Sequence, residues 1–372
     1  MKITIIGIRG IPVTYSAFET FAEVLAIELV KLNHKVSVYN RNKYVSANRK
    51  RYKGVTLINL PSIEKTNFST LSHSLLSTLH ACVINRPDLI LYLGVGNTIY
   101  SVLPRFLGIK TVVHIDGLDW KREKWGFVAR KYLKISERLA AQLPSQTITD
   151  SVYMLRYYKK SYHKDIEYIP YGYFPQPPAK NVVPLLKKYK LTKNEYFVWA
   201  GRLVPENFVD EFILAFKNLK NKSIKALIIG DDLYESEYKK NVFKLIKSDS
   251  RIVSTGFIKH EDVLLLTESS LAYIETKRSG GTHMTLVEAM GAGTLVVSNL
   301  NKTNKDVLAN SALFYPQKNS VNNLNRLLKD ISLTPEKFNH LRKEVKERAE
   351  KYYRWDMVVN LYEKLFRDLT QF

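Results

Sequence analysis

The chain has 372 residues, of which 45% are hydrophobic, and it carries a formal net charge of +22 at pH 7. This length is typical of two domains, and this apolar content excludes a globally disordered chain. The single cysteine, Cys82, excludes an internal disulfide and a multi-cysteine metal site, and its apolar surroundings in the sequence favour a core residue over a nucleophile.

Short apolar strands alternate with amphipathic helices in the first half of the chain. The pattern predicts strands at residues 3–6, 35–39, 56–59, 89–93 and 111–115, and helices over 18–32 and 69–84. The first residues predict a strand rather than a signal peptide, and no apolar run approaches the roughly 20 residues of a membrane span. Buried strands alternating with helices indicate a parallel sheet covered on both faces.

A stretch rich in proline and glycine, residues 170–178, interrupts this alternation and predicts a linker. Strands then follow at 196–200, 226–229, 251–253, 271–274 and 294–298, with helices from 208 and 237 and a last helix over 355–369. We therefore predict an α/β protein of two doubly wound, Rossmann-like domains facing a central cleft. The domains are placed at 1–175 and 176–350, and residues 351–372 form a helix that packs back toward the N-terminal domain.

The most informative motif is a glycine-rich turn, Gly280-Gly281-Thr282, that leads directly into an apolar helix. A helix N-terminus offers unpaired N–H groups and a partial positive charge, so this turn can hold a phosphate. Glu288 lies about two turns further on, within reach of a sugar hydroxyl on a phosphate-bound nucleotide. The motif predicts a nucleotide or nucleotide-sugar site, although an ordinary loop–helix–strand connection has the same pattern.

The positive charge favours an anionic partner, and its densest stretch is residues 41–53. The anionic partner could be a phosphorylated substrate, an acidic membrane surface or a nucleic acid. The sequence has no zinc-finger spacing, base-stacking consensus or basic zipper, so nucleic-acid binding rests on net charge alone. The pair Asp231-Asp232 after Gly230 offers two adjacent carboxylates that could suggest a metal site.

Five motifs in order resemble one family. They are Gly7-Ile8-Arg9-Gly10-Ile11-Pro12, Phe18-Glu19-Thr20, the segment from Asp116 to Gly126, Gly201-Arg202 with Pro205-Glu206-Asn207, and Gly280-Gly281-Thr282 with Glu288. This order resembles the retaining glycosyltransferases of family 4, with the two-domain GT-B fold. It is most similar to a bacterial subgroup that includes rhamnosyltransferases of surface-polysaccharide assembly.

The resemblance implies a nucleotide-sugar donor, held without a metal or a cofactor, and for Asp231-Asp232 it implies a loop near the nucleotide base instead of a metal site. It implies that Arg202 stabilises the leaving diphosphate and that Glu288 binds the ribose. Gly10, Glu206, Asn207, Gly280, Gly281, Thr282 and His283 are the other implied donor-binding residues. Many members carry a lysine where this chain has Asn207, and the first acid of the family's E-x7-E pattern falls at Gly280, so sugar selection is left to groups such as His283 and Thr285.

The resemblance places catalysis and the acceptor in the N-terminal domain. Asp116 is favoured over His114 as the catalytic or acceptor-orienting base, because a histidine inside an apolar strand is commonly a core residue. Glu19, Trp120, Lys121 and Arg122 are the implied acceptor contacts, with ordinary structural roles as the alternative. The implied acceptor is a glycan or a polyprenyl-diphosphate-linked glycan, which predicts a cytoplasmic protein at the anionic inner face of the membrane.

The sharpest departure from the subgroup is Ser16-Ala17, which stands where a Gly-Gly pair is usual. Two Cβ atoms restrict this loop, which makes a catalytically inactive relative one rival hypothesis. An NADP-dependent oxidoreductase is another, with Arg41 near a 2′-phosphate, although the Gly7–Pro12 turn does not spell G-x-G-x-x-G.

Overall fold

The computed structural model describes residues 1–12, 17–45, 49–64, 68–122, 125–175, 181–278 and 281–371. The chain divides into two compact units, one formed by Met1–Tyr171 with Asp356–Phe372 and the other by Gly172–Trp355. Each unit is built on its own sheet, with helices packed against it.

The first unit contains an eight-stranded sheet. Its strands are β1 (Lys2–Ile6), β2 (Lys35–Arg41), β3 (Arg51–Tyr52), β4 (Val55–Leu60), β5 (Leu89–Leu93), β6 (Lys110–Ile115), β7 (Gln146–Thr149) and β8 (Glu167–Tyr168). Its helices include α1 (Ala17–Lys31), α2 (Ser69–His80), α3 (Val102–Phe106), α4 (Phe127–Ala140) and α5 (Val152–Tyr162). Short 3-10 helices lie at Val95–Ser101 and Asp119–Lys121.

The strand order β3-β4-β2-β1-β5-β6-β7-β8 reverses direction between β1 and β5. Every pair is parallel except β3 with β4. The apolar residues of β1 and β5 are buried because helices cover both faces of the sheet. The carboxyl ends of β1 and β5 therefore meet at the point where doubly wound sheets bind ligands.

The second unit contains a six-stranded parallel sheet. Its strands are β9 (Tyr196–Ala200), β10 (Lys225–Ile229), β11 (Ile252–Ser254), β12 (Ala272–Glu275), β13 (Val296–Asn299) and β14 (Leu313–Tyr315). Its helices are α6 (Val183–Lys188), α7 (Val209–Lys217), α8 (Glu237–Lys247), α9 (His260–Glu268), α10 (Met284–Gly291), α11 (Lys302–Leu308), α12 (Ser320–Leu333) and α13 (Asn339–Tyr352), with 3-10 helices at Pro205–Asn207 and Pro335–Phe338.

The order β11-β10-β9-β12-β13-β14 reverses between β9 and β12, whose carboxyl ends lie side by side. The two sheets confirm the predicted architecture of two Rossmann-like domains. The helix predicted over 69–84 is present, but it leaves α-geometry after His80, and Ala81–Asn85 form a π-helical turn.

The last helix, α14 (Trp355–Thr370), belongs to the first unit from Asp356 onward. The ring of Tyr362 packs against Phe21 of α1 at a centroid distance of 5.5 Å. Glu363 Oε1 lies 3.2 Å from His34 Nε2, and the Thr370 hydroxyl donates to Met1 Sδ at 3.0 Å. The end of the chain is therefore fastened to α1 and to the start of β1.

Tyr362 provides a test of this packing. Its side chain is fully buried, and its hydroxyl has no hydrogen-bond partner among the described residues. We expect Tyr362→Phe to keep or raise stability, because it removes a buried polar group that gains nothing in return. Tyr362→Ala should instead lower the free energy of unfolding of this unit by about 3–5 kcal/mol through a cavity. Urea denaturation of both variants measures the difference, and a strongly destabilised Tyr362→Phe variant would show that the hydroxyl is bonded.

Candidate active site

Arg202 follows Gly201 directly after β9, at the point where the sheet of the second unit reverses. The strand next to β9 at this point is β12, and the two strands pair in parallel so that Tyr273 lies opposite Val198. A guanidinium here stands beyond the carboxyl ends of two adjacent strands, where doubly wound sheets bind phosphorylated ligands.

The loop after Arg202 is held by its own side chains. Asn207 Nδ2 donates to the Arg202 carbonyl at 2.8 Å, and the hydroxyl of Thr276, after β12, donates to the Asn207 carbonyl. Trp199 Nε1 in turn donates to Thr276 Oγ1 at 2.8 Å. The Asn207 amide thus supports the backbone that carries Arg202, and Glu206 lies half-buried in the same short helix.

A buried carboxylate lies beside this loop. Glu275, the last residue of β12, is fully buried, with Oε2 3.5 Å from Lys277 Nζ and 3.6 Å from His283 Nδ1. Its Oε1 accepts the backbone N–H of Lys277 at 2.9 Å. Burial alone would raise the pKa of Glu275, but the Lys277 ammonium and the His283 imidazole outweigh burial and lower it to about 2. The carboxylate is therefore ionised throughout the neutral range.

Two of the residues around Glu275, namely Lys277 and His283, also contact or belong to the start of α10. Lys277 Nζ donates to Thr285 Oγ1 at 3.0 Å and to the Ala200 carbonyl at 3.3 Å, and the Tyr273 hydroxyl donates to Thr285 Oγ1 at 2.9 Å. His283 is the N-cap residue of α10. Positive charge from Lys277 and the N–H groups of α10 therefore converge near the backbone that leads to Arg202.

The glycine-rich turn before α10 is described in part. Gly280 lies outside the described residues, whereas Gly281 and Thr282 are buried next to the helix start. Glu288 is also largely buried, and its Oε1 lies 2.7 Å from Nε2 of His260 on α9. The carboxylate that the sequence offers to a ribose is thus positioned by a histidine that the sequence did not single out.

In the first unit, Gly10 lies in the turn after β1 with a φ of +149°. A Cβ there would lie 2.5 Å from Val45 Cγ2 and 2.9 Å from Asn40 Cγ. Asn40 Oδ1 accepts the Ile11 N–H at 3.1 Å, and its Nδ2 donates to the Ile11 carbonyl at 3.2 Å. The buried Glu19 of α1 accepts the Arg9 N–H at 3.0 Å, so it holds the same turn. Of the Ser16-Ala17 pair, Ser16 lies outside the described residues.

Asp116 follows β6, and the structure brings it together with Arg122. Arg122 Nη2 lies 3.1 Å from Asp116 Oδ2, and its Nε lies 2.8 Å from Asp119 Oδ1. Trp120 Nε1 donates to Glu137 Oε2 at 2.8 Å, and the ammonium of Lys134 lies 4.5 Å from the centroid of the indole ring. Lys121, on the same short helix, is exposed.

His114 is fully buried in β6, two residues before Asp116. Its Nε2 lies 3.7 Å from Oδ1 of Asp150, which follows the neighbouring strand β7. Burial is the main cause of the raised pKa of Asp150, and His114 opposes it. The rings of Phe21 and Tyr171 pack on the imidazole at 5.3 and 5.8 Å. In this unit Asp116 is thus partly buried beside Arg122, and His114, two residues earlier, is fully buried.

Sequence reasoning missed Glu275, Lys277 and His260. A glutamate that ends an apolar strand and a lysine two residues later were an available signal for a strand-end site. Asp231 lies 3.0 Å from Lys239 Nζ, and the described residues contain no group of three or more His, Cys, Asp or Glu side chains arranged to hold a metal ion. Arg41, considered for a 2′-phosphate, is buried and donates to the hydroxyls of Ser69 and Thr70.

The two halves of the chain match different family models. Residues 185–351 match the model described as glycosyl transferases group 1, and residues 1–173 match a domain of unknown function, DUF1972. No curated protein matches the chain.

Several solved structures share the fold over nearly the whole length. Sucrose-phosphate synthase from Thermosynechococcus elongatus aligns with a TM-score of 0.82 at 17% identity, covering 99% of this chain and 98% of that one. Anabaena Alr3699/HepE in complex with UDP-glucose aligns with 0.80 at 15% identity, covering 99% and 100%. WaaG, a glycosyltransferase involved in lipopolysaccharide biosynthesis, aligns with 0.76 at 14% identity, covering 100% of both chains.

These solved structures share the two-domain fold of this chain. The region that matches the model for glycosyl transferases group 1, residues 185–351, includes Arg202, Glu275, Lys277 and the start of α10, so it also contains the strand-end site.

The Glu275–Lys277 pair generates a stability prediction. Lys277→Met should destabilise the second unit by about 3–5 kcal/mol, because it removes the main countercharge of a buried carboxylate. The double variant Glu275→Gln/Lys277→Met should recover much of this loss. Urea denaturation of the two single variants and the double variant at pH 7 gives the coupling, and additive effects would contradict a direct pair.

The same pair predicts a pH dependence. Because the folded-state pKa of Glu275 is depressed to about 2 from 4.5, its ionisation stabilises the fold fully above about pH 4.5, and this contribution is lost as the pH falls toward 2. The stability difference between the wild type and Glu275→Gln should therefore shrink between pH 6 and about pH 3. A difference that does not change over this range would show that the carboxylate is not held ionised.

Proposed function

We propose that this protein is a retaining glycosyltransferase that moves a sugar from a nucleotide diphosphate donor to a glycan or lipid-linked glycan. The observation that carries the proposal is that Lys277 Nζ donates both to the Ala200 carbonyl at the end of β9, two residues before Arg202, and to Thr285 in the first turn of α10. The strand end that leads to Arg202 and the helix N-terminus are thus joined beside the carboxyl ends of β9 and β12, where positive potential would stabilise a departing diphosphate.

In the proposed reaction, the bond between the anomeric carbon and the diphosphate oxygen breaks as the acceptor oxygen bonds to the same face of that carbon. The acceptor's proton passes to an oxygen of the departing diphosphate. Arg202 and the α10 N-terminus stabilise the charge that develops on this leaving group, and Lys277 adds to the positive potential. No metal and no cofactor take part in this scheme.

The donor end of the proposal also assigns Glu288 to the ribose hydroxyls, with His260 orienting its carboxylate. UDP and UDP-glucose are bound by Alr3699/HepE, a protein of the same fold. We propose a pyrimidine nucleoside diphosphate here, with rhamnose as the sugar to test first.

The acceptor end is assigned to the first unit. Asp116 orients the acceptor hydroxyl, and Arg122 and Trp120 contact the acceptor, with Glu19 supporting the Gly10 turn. The acceptor is proposed to be a polyprenyl-diphosphate-linked glycan. No helix in the described part of the chain is long and apolar enough to cross a membrane. We propose that the protein reaches this acceptor as a peripheral protein at the inner, anionic face of the membrane.

Ligand-dependent melting tests the donor class. The purified protein is heated with dTDP, UDP, GDP or NADP, and a ligand at about 100 times its dissociation constant stabilises by about 2.7 kcal/mol. Stabilisation by one nucleoside diphosphate supports the proposal and names the base. Stabilisation by NADP alone would favour the oxidoreductase hypothesis, and no shift with any ligand would favour an inactive relative.

Arg202→Ala should lower the rate of sugar transfer by about 10²–10³-fold while the melting temperature without ligand stays close to that of the wild type. The reason is that its guanidinium acts on charge that develops on the diphosphate. Arg326→Ala, an exposed arginine on α12, is the matched control and should transfer at the wild-type rate. Near-normal transfer by Arg202→Ala, measured as release of the nucleoside diphosphate, would remove Arg202 from the site.

A further inference from the structure

The helices that follow β4 lie on one face of the sheet in the first unit. The connections from β4 to β5, β5 to β6, β6 to β7 and β7 to β8 all step in the same direction along the sheet, whereas β1 to β2 steps the other way. Right-handed crossovers then place α2, α3, α4 and α5 together on the face opposite α1. In agreement, α2, α3 and α4 all pack against the 3-10 helix Val95–Ser101. We call the outer surface of these helices and their turns the α2–α5 layer.

Large apolar side chains project from this layer into solvent. Phe106 is 84% exposed at the end of α3, and Phe127 and Val128 are 81% and 79% exposed at the start of α4. Val83 and Ile84 of the π-helical turn and Leu107 after α3 are exposed as well. Val83, Ile84, Phe106 and Leu107 lie where the chain enters β5 and β6, and Phe127 and Val128 lie at the other end of the layer, after β6. Exposed apolar side chains of this size, in adjacent pairs, favour a surface that binds a partner or a membrane.

Cations outnumber carboxylates in the layer. The ranges of α2 to α5, the π-helical turn and the 3-10 helix Val95–Ser101 contain one acidic residue, Glu137, and the 3-10 helix Asp119–Lys121 adds Asp119, which is paired with Arg122. The Glu137 carboxylate is buried and accepts from Trp120, Lys134 and the hydroxyls of Tyr157 and Tyr162. The exposed cations of these helices are Arg105, Arg130, Lys131, Arg138, Arg156, Lys159 and Lys160.

One cation of the layer has an acidic neighbour in a loop: Lys159 Nζ lies 2.5 Å from Oδ2 of Asp165. On α4, the exposed residues Phe127, Lys131, Ile135 and Arg138 recur every three or four positions and so share one side of the helix. The helices α2 to α5 therefore expose apolar side chains and cations, and they expose no carboxylate. This combination fits an anionic lipid surface better than a protein partner that carries charges of both signs.

We infer that the α2–α5 layer is the surface by which this protein docks on an anionic phospholipid bilayer. The apolar side chains enter the interface between head groups and acyl chains, and the arginines and lysines contact the phosphates. This inference rests on the proposed peripheral association with a membrane and assigns it to named residues. The proposed acceptor contacts Trp120 and Arg122 lie next to this layer. Trp120 donates a hydrogen bond to Glu137 of α4, and the loop that carries Asp116 and Arg122 precedes that helix in the chain.

The test measures sedimentation of the full-length protein with vesicles of phosphatidylcholine alone or with about 30 mol% phosphatidylglycerol. We expect the anionic vesicles to bind the wild type more tightly, and less so at high salt. Phe106→Ser/Phe127→Ser and Arg130→Glu/Lys131→Glu should each weaken this binding at least about tenfold. The control Leu333→Ser/Arg326→Glu makes the same kinds of change at exposed positions of α12 and should bind like the wild type.

Each result has a defined meaning. Wild-type binding by both layer variants would overturn the assignment of this surface, and equal binding of the wild type to both vesicles would overturn membrane docking. If the layer variants instead convert a dimer to a monomer in sedimentation velocity, without a change in lipid binding, the layer contacts a second copy of this chain. Melting with nucleoside diphosphates is measured on the same variants. An unchanged shift there keeps the transferase proposal intact whatever the vesicles show.

Discussion

The second unit depends on one buried charge. Glu275 is fully enclosed and ionised, which is unfavourable unless opposite charge and hydrogen-bond donors surround it. Those partners are Lys277 and His283, one from the loop after β12 and the other from the cap of α10. The Lys277 carbonyl is fixed in turn by the amides of Asn299 and Asn301, at 2.8 and 3.3 Å. A single carboxylate is therefore in contact with both the loop that leaves β12 and the cap of the helix assigned to the proposed diphosphate.

This arrangement suggests how the site is organised although Asn207 stands where many members of the family carry a lysine. Asn207 supports the Arg202 backbone instead of offering a charge, so the proposed diphosphate meets one cation fewer on that loop. Lys277 reaches the Ala200 carbonyl from the neighbouring strand and so brings an ammonium to the same strand ends. Its charge is shared with Glu275, which means that it pre-organises the site more than it attracts the donor. Pre-organised charge is the form that stabilises a transition state without reorganisation.

Local patterns predicted the architecture because buried parallel strands are apolar and short. The strands at Leu89–Leu93 and Tyr196–Ala200 were predicted to the residue, as was the start of α8 at Glu237. Contacts between distant residues could not be predicted in this way. His114 and Asp150 are adjacent only because β6 pairs with β7, and His260 meets Glu288 only because α9 lies beside α10. The helix α4 was not among the predicted helices, although its buried residues Leu133, Ser136, Glu137 and Ala140 recur at helical spacing.

The exposed side of α4 links the two halves of the proposed function. The inner side of α4 holds Trp120 through Glu137, while its outer side presents Lys131 and Ile135 to solvent. A lipid-linked acceptor has an apolar tail that stays in the bilayer and a diphosphate near its surface. Arg122 already bridges Asp116 and Asp119, so an incoming diphosphate would compete with two carboxylates for one guanidinium. Release of Asp116 from that pair is the step that would free it to orient an acceptor hydroxyl.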